Sequence, residues 1–127
     1  MVEKTNKHIR THYFTNKMLH SAIKYFYKYF KKYGKKYTGI YCIPRGGLVV
    51  GVYLSHKLNI PIVHNPLIGN VLICDDICDS GKTLSKDIYS NCDKFVLISK
   101  MKGYKKVKPV THTIVDDKCW VVFDWER

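Results

Sequence analysis

No uninterrupted apolar run in the 127 residues approaches the ~20 that a membrane-spanning helix needs, which excludes a helical membrane protein. The start, Met1-Val2-Glu3-Lys4-Thr5-Asn6-Lys7, lacks the apolar segment of a secretory signal, so the cytoplasm is the expected location. Carboxylates are nearly missing from the first part of the chain. Glu3 is the only one before Asp75, against twelve of the 22 lysines and arginines, and this makes most of the net charge of +12. The five cysteines are an odd set, and Cys42 and Cys74 fall in apolar stretches, which argues against a disulfide framework. Cys74 and Cys78 have no second close pair and no nearby histidine, which argues against structural zinc. There are no internal repeats and no low-complexity segment.

What remains is a chain with 46% hydrophobic residues, long enough for one core and expected to be a single domain over residues 1–127. Residues 1–12 are polar and expected to pack loosely. Leu19, Ala22, Ile23, Phe26, Phe30 and Tyr33 recur at helical spacing and predict a helix from Thr15 to Tyr33, stopped by Gly34. Gly39–Ile43 reads as a strand, Gly47–Leu58 as a helix, Pro61–His64 as a short strand, Val71–Asp75 as a third and Lys94–Ser99 as a fourth. Ser80–Asn91 is the expected helix between the last two. Met101–Pro109 reads as a lysine-rich connection, and Thr111–Val115 with Trp120–Phe123 as strands of an appendage. Alternating strands and helices imply a parallel sheet with right-handed crossovers, in a flavodoxin-like or Rossmann-like α/β architecture.

The stretch Val71-Leu72-Ile73-Cys74-Asp75-Asp76-Ile77-Cys78-Asp79-Ser80-Gly81-Lys82-Thr83-Leu84 carries the chemistry. Its apolar run suits a buried strand, and the two acids then fall at the carboxyl end, where open α/β sheets bind ligands. Ser80-Gly81-Lys82-Thr83 supplies hydroxyls and free amides at a helix start, which favour an anion. Carboxylates accept from hydroxyls and amides donate to phosphate, so a ribose 5-phosphate satisfies both. A nucleotide P-loop needs glycine at position 76, where this chain has Asp76. A helix cap alone would explain Asp79 or Ser80 but not the whole ordered set.

Asp75-Asp76-Ile77-Cys78-Asp79-Ser80-Gly81-Lys82-Thr83 resembles the phosphoribosyl pyrophosphate signature of the type I phosphoribosyltransferases at every fixed position. Gly39-Ile40-Tyr41-Cys42-Ile43-Pro44-Arg45-Gly46-Gly47-Leu48-Val49-Val50-Gly51 is similar to the pyrophosphate loop of the purine enzymes of that family, and Arg45-Gly46-Gly47-Leu48 makes the resemblance closest to the xanthine-guanine and hypoxanthine phosphoribosyltransferases. The C-terminal Trp120-Val121-Val122-Phe123-Asp124-Trp125-Glu126 adds a weaker match. The resemblance implies a parallel sheet flanked by helices, with a small hood from the N-terminal helix and C-terminal strands. It implies transfer of a 5-phosphoribosyl group from phosphoribosyl pyrophosphate to guanine, xanthine or hypoxanthine, in purine salvage, with release of pyrophosphate. In this reading Asp75 and Asp76 hold the ribose hydroxyls, directly or through Mg²⁺ and its water. Asp79 is the base that takes the proton from the purine, and Ser80, Gly81, Lys82 and Thr83 hold the 5-phosphate. Arg45, Gly46 and Gly47 hold pyrophosphate after a cis Pro44–Arg45 bond. Lys100 donates to the six-position oxygen, Trp120 stacks on the base, and the Val121 backbone meets its edge. Relatives are usually homodimers or homotetramers.

Two features support a different class, a non-catalytic regulator that binds phosphoribosyl pyrophosphate or a nucleotide, with RNA binding as its extension. Only His64-Asn65-Pro66-Leu67-Ile68-Gly69-Asn70 stands where the purine enzymes carry a long closing loop. The basic first half would also attract a polyanion. The Lys24–Lys36 cluster equally suits the solvated face of a helix, and the tyrosines between its lysines sit where that helix needs an apolar side. Nucleic acid is therefore the lesser reading of the charge.

Overall fold

A computed structural model describes residues 10–32 and 36–127. The apolar run at Val71 forms β3 (Val71–Cys78), which lies between β2 (Gly39–Cys42) and β4 (Lys94–Lys100), with β5 (Val110–Val115) outside β4. All four strands are parallel, with Cys42 opposite Cys74, Cys78 opposite Ser99 and Lys100 opposite Val115. The expected strand Pro61–His64 is reduced to a single bridge between Ile62 and Ile40 on the free edge of β2. Counting that bridge, the order from edge to edge is Ile62, β2, β3, β4 and β5. In this sheet the chain begins at β2 and winds outward in opposite directions on either side of it, so the order switches between β2 and β3 and the ligand crevice lies at their carboxyl ends.

Side chains alternate across β3 and β4, so the sheet is buried on both faces. Leu72, Cys74, Phe95 and Leu97 join one apolar cluster, and Val71, Ile73 and Val96 join the other. The first cluster is covered by α1 (Asn16–Lys32) and α2 (Gly46–Leu58). Leu19, Ala22, Ile23, Phe26 and Phe30 form the expected buried stripe of α1. The Thr15 hydroxyl accepts the Met18 N–H at 3.2 Å and so caps its first turn. The expected helix end at Tyr33 and Gly34 lies outside the described residues. Phe26 and Phe30 meet Phe95 at ring-centroid distances of 4.8 and 5.7 Å, so α1 belongs to the layer against the sheet.

The hood is a strand pair. β1 (Arg10–Phe14) runs parallel to β6 (Cys119–Phe123), with Phe14 opposite Phe123. Residues 10–12, expected to pack loosely, are therefore held in a ladder. Phe14 contacts Phe123 at 5.6 Å and Trp125 at 6.1 Å, an aromatic patch that secures the short strands.

Three further expectations are corrected. Thr111–Val115 is not an appendage, because β5 completes the main sheet, and only β6 stands apart. The lysine-rich connection contains a helix, α3 (Met101–Val107), whose buried Gly103 packs against the end of β3. Between Ser80 and Asn91 there is no α-helix. A turn closed by the Ser85 N–H donating to the Gly81 carbonyl at 3.0 Å is followed by extended Lys86 and a 3-10 turn, Asp87–Tyr89. Besides Gly81, only Leu84 and Tyr89 are buried there, and the serines, Thr83, Asp87 and Asn91 compete for backbone groups, so no helical stripe develops.

Phe95, fully buried between α1 and the sheet, tests this core. Phe95→Ala should lower the unfolding free energy by about 3–5 kcal/mol in urea titration; a loss under 1 kcal/mol would mean that α1 does not pack there.

Candidate functional site

The carboxyl ends of β2, β3 and β4 converge on one crevice, and glycines bring its parts together. After β2 the Ile43 N–H donates to the Cys74 carbonyl at 3.0 Å, and the chain turns through a cis Pro44–Arg45 bond into α2. A side-chain carbon on Gly46 would overlap the Asp76 carboxylate, and one on Gly47 would overlap the Cys74 carbonyl. Gly46 and Gly47 therefore lie directly on β3, while Arg45 is exposed at the start of α2.

β3 continues three residues beyond the expected end, so Asp75 and Asp76 are inside the strand. Successive strand residues project to opposite sides. Asp76 is buried and lines a cavity of about 270 Å³ on the hood side. Asp75 is half-buried and lines a second cavity of about 180 Å³, formed with Asp79, Ser80, Gly81, Lys82 and Thr83. Burial, and then the neighbouring Asp76 carboxylate, raise the Asp75 carboxyl to about 8, although the Asp76 N–H donates to Asp75 Oδ1 at 2.9 Å.

Asp79 follows β3 and lines both cavities. Lys100, the last residue of β4, is buried, with Nζ 3.4 Å from Asp79 Oδ1. The 270 Å³ cavity also takes Trp120 and Val121 from β6, together with Ile77, Phe123 and Glu126. Asp76, Asp79, Lys100, Trp120 and Val121, separated by up to 45 positions in sequence, thus share one cavity. Arg45, Gly46 and Gly47 line neither cavity, and Gly46 reaches the site through its contact with Asp76.

The 180 Å³ cavity is held by a turn instead of a helix, which removes the helix-dipole contribution expected there. Among the described residues, no hydrogen bond within the chain uses the N–H groups of Gly81, Thr83 or Leu84. Those donors can receive an anion. The Lys82 N–H donates to the Ser80 hydroxyl at 3.3 Å, and Gly81 has φ +85°, a conformation suited to glycine. Behind this turn stands α3. A carbon on Gly103 would overlap the Cys78 and Asp79 carbonyls, and Gly81 lies against Lys106 and Val107. This support was hidden in the sequence because lysines dominate Met101–Val107. Glu126 and Phe123 also escaped notice as cavity residues, and the only signal was their place in the aromatic C-terminal run.

No group of three potential metal-ligating side chains occurs among the described residues. Asp75 and Asp76 do suit Mg²⁺ carried by a polyphosphate, since that ion is commonly held by one or two carboxylates with substrate oxygens and water completing its shell. Burial and, after it, the Asp76 charge raise Asp75, and such a cation would ease the second of these.

No family model and no curated protein matches the sequence, and the relationship is carried by the structure. A purine phosphoribosyltransferase from Pyrococcus horikoshii superposes with TM-score 0.75 at 26% identity, covering 92% of this chain and 94% of that one. The Helicobacter pylori xanthine-guanine-hypoxanthine phosphoribosyltransferase gives TM-score 0.69 at 16% identity, with 92% and 93% covered. A hypothetical protein from Neisseria gonorrhoeae with bound ppGpp gives 0.69 at 22% identity, with 93% and 90% covered. Adenine phosphoribosyltransferases share the architecture as well. The chain has the type I phosphoribosyltransferase fold.

The raised Asp75 carboxyl has a signed consequence. Its folded value near 8 exceeds the ordinary 3.8, so the folded state holds a proton that the unfolded chain releases. This contribution to stability is full below about pH 4 and is lost as pH rises towards 8. Asp75→Asn should flatten that decline in denaturant midpoints measured from pH 5 to 9; parallel curves for the two proteins would remove the assignment.

Proposed function

We propose that this protein is a purine phosphoribosyltransferase, transferring the 5-phosphoribosyl group from phosphoribosyl pyrophosphate to a 6-oxopurine with release of pyrophosphate, in purine salvage. The observation that carries this reading is the sharing of Asp79 between the two cavities. One cavity has the free amides and hydroxyls for a 5-phosphate, and the other has a buried ammonium and an indole for a base. Asp79 then stands beside the bond to be made, between the sugar and the purine.

In this reading Ser80, Gly81, Lys82 and Thr83 hold the 5-phosphate, and Asp75 and Asp76 accept from the ribose hydroxyls. Arg45 and the amides of Gly46 and Gly47 hold the pyrophosphate. Mg²⁺ bound with the substrate at Asp75 and Asp76 would neutralise the pyrophosphate as it leaves. Trp120 stacks on the base, the Val121 backbone meets its edge, and the Lys100 ammonium donates to the six-position oxygen. Adenine carries an amino group at that position, so a donor favours the 6-oxopurines. The purine nitrogen attacks C1 of the ribose, the bond to pyrophosphate breaks, and Asp79 takes the proton that the purine gives up.

Pyrophosphate release from phosphoribosyl pyrophosphate and Mg²⁺ should occur with guanine, xanthine or hypoxanthine and not with adenine, uracil or orotate. Asp79→Asn should lower kcat by roughly 10²–10⁴ with little change in KM for phosphoribosyl pyrophosphate. Binding of phosphoribosyl pyrophosphate without turnover on any base would favour the non-catalytic regulator, a reading supported by the neighbour with bound ppGpp and by the short segment 64–70.

A homodimer or homotetramer is also proposed. It is supported by Leu48, Val52 and Tyr53 exposed along α2. Sedimentation velocity at micromolar protein should report an assembly, and a lone 14.9 kDa species would refute it.

A further inference from the structure

A cavity of about 430 Å³ lies at the far end of the sheet, where β4 and β5 begin, and the proposed reaction makes no use of it. That volume is within the range of small-molecule sites. The cavity opens between the two apolar layers, since Phe30 and Tyr37 belong to one and Cys92 and Val107 to the other. Tyr29, Phe30 and Tyr37 give it an aromatic wall. Its charged lining among the described residues is Asp93, Lys94 and Lys108. Asp93 accepts the Tyr37 hydroxyl at 2.6 Å. The half-buried Lys94 ammonium donates to the Cys92 carbonyl at 3.0 Å and keeps two further protons to donate. The cavity also borders the support of the Ser80–Thr83 turn. Val107, at the end of α3, lines the cavity and packs on Gly81, where an added side-chain carbon would meet it at 3.1 Å. Gly103 of the same short helix rests on the Cys78 and Asp79 carbonyls.

We infer that this cavity is a second binding site, for an aromatic molecule carrying an anionic group, and that its occupant alters the affinity of the Ser80–Thr83 turn through α3. The binding stands on the cavity alone, and the coupling rests on the phosphoribosyl reading above. A planar ring buries its surface against Tyr29, Phe30 and Val107 and gains from the geometry that aromatic pairs prefer. The anion pairs with Lys94 and Lys108, which outnumber the single carboxylate, and that carboxylate is engaged by Tyr37. A bare anion would bury none of the aromatic wall, and a neutral ring would make no use of the ammoniums. A nucleoside monophosphate and an aromatic carboxylate both carry the required chemistry. A ligand shifts a distant site only by contacting its two states differently, and Val107 is the contact that the cavity and the turn share.

Cys92 reports occupancy, because it lines the cavity and is half-buried while Cys42, Cys74, Cys78 and Cys119 are buried. Its alkylation by iodoacetamide in the intact protein, followed by peptide mass, should slow at least about fivefold with AMP or indole-3-acetate at several times the dissociation constant, and not with inorganic phosphate. Protection by AMP alone assigns the site to a nucleotide, by indole-3-acetate alone to an aromatic carboxylate, and by both to the shared chemistry; each upholds it. Lys108→Glu, a change at an exposed residue, should remove the protection. Equal protection by inorganic phosphate, full protection in Lys108→Glu, or none by either aromatic compound overturns the site. Ribose 5-phosphate affinity, measured by calorimetry, should change at least about fivefold when the protecting compound is saturating. An unchanged affinity overturns the coupling, as does a change that persists in Lys108→Glu and is therefore direct competition at the turn. Protection of Cys92 with no binding of ribose 5-phosphate would refute the phosphoribosyl reading and the coupling with it, and would keep the cavity site.

Discussion

Three close approaches by glycine hold the site together: Gly46 on the Asp76 carboxylate, Gly47 on the Cys74 carbonyl, and Gly51 on the Cys42 and Cys74 thiols. They allow α2 and the loop before it to lie on β3 with no side chain between. The Cys74 thiol donates to the Gly47 carbonyl at 3.3 Å and adds a polar tie at the same seam. Any larger residue there would lift the loop from the acids. The spacing between the proposed pyrophosphate loop and the proposed ribose acids is therefore a packing distance, set by the core beneath Val50 and Leu54.

The same economy recurs on the other side of β3. Gly103 lets α3 rest on the carbonyls of Cys78 and Asp79, so the residue proposed as the base is backed by a helix although it follows the strand in a turn. The buried Lys100 then sets the local electrostatics. A buried ammonium is costly without an opposite charge, and Asp79 at 3.4 Å provides one. A base carbonyl approaching Lys100 would share that ammonium, which couples base binding to the group proposed to take the proton. The excess of lysine elsewhere acts at longer range, as a field favourable to a polyanionic substrate.

Elements whose apolar residues follow one period were legible in the sequence. The α1 stripe from Leu19 to Phe30 and the runs of β3 and β4 stand as expected, because a buried face repeats every three or four residues in a helix and a doubly buried strand is apolar throughout. The expected Ser80–Asn91 helix does not form, because its start resembles a helix N-terminus while only Tyr89 finds a buried place after Leu84. α3 was invisible for the opposite reason, with a buried glycine and long lysines in place of an apolar stripe. β5 was assigned to an appendage because Thr111, His112 and Thr113 are polar, as suits an edge strand only half covered. For the site, the meeting of Asp75 with Asp79, Ser80, Gly81, Lys82 and Thr83 in one cavity was readable from their order. The meeting of Lys100 with Trp120 and Val121 rested on family resemblance alone. Glu126 carried no pattern, because its place in the cavity depends on a parallel pairing between the two ends of the chain.

The central claim is that a nucleotide spans the two cavities through Asp79. A crystal structure of the protein with GMP tests it most directly. The base should lie against Trp120 with its six-position oxygen on Lys100, the ribose over Asp75 and Asp76, and the phosphate on the amides of Gly81–Thr83. A nucleotide bound at another surface, or one whose phosphate avoids the Ser80–Thr83 turn, would contradict the account.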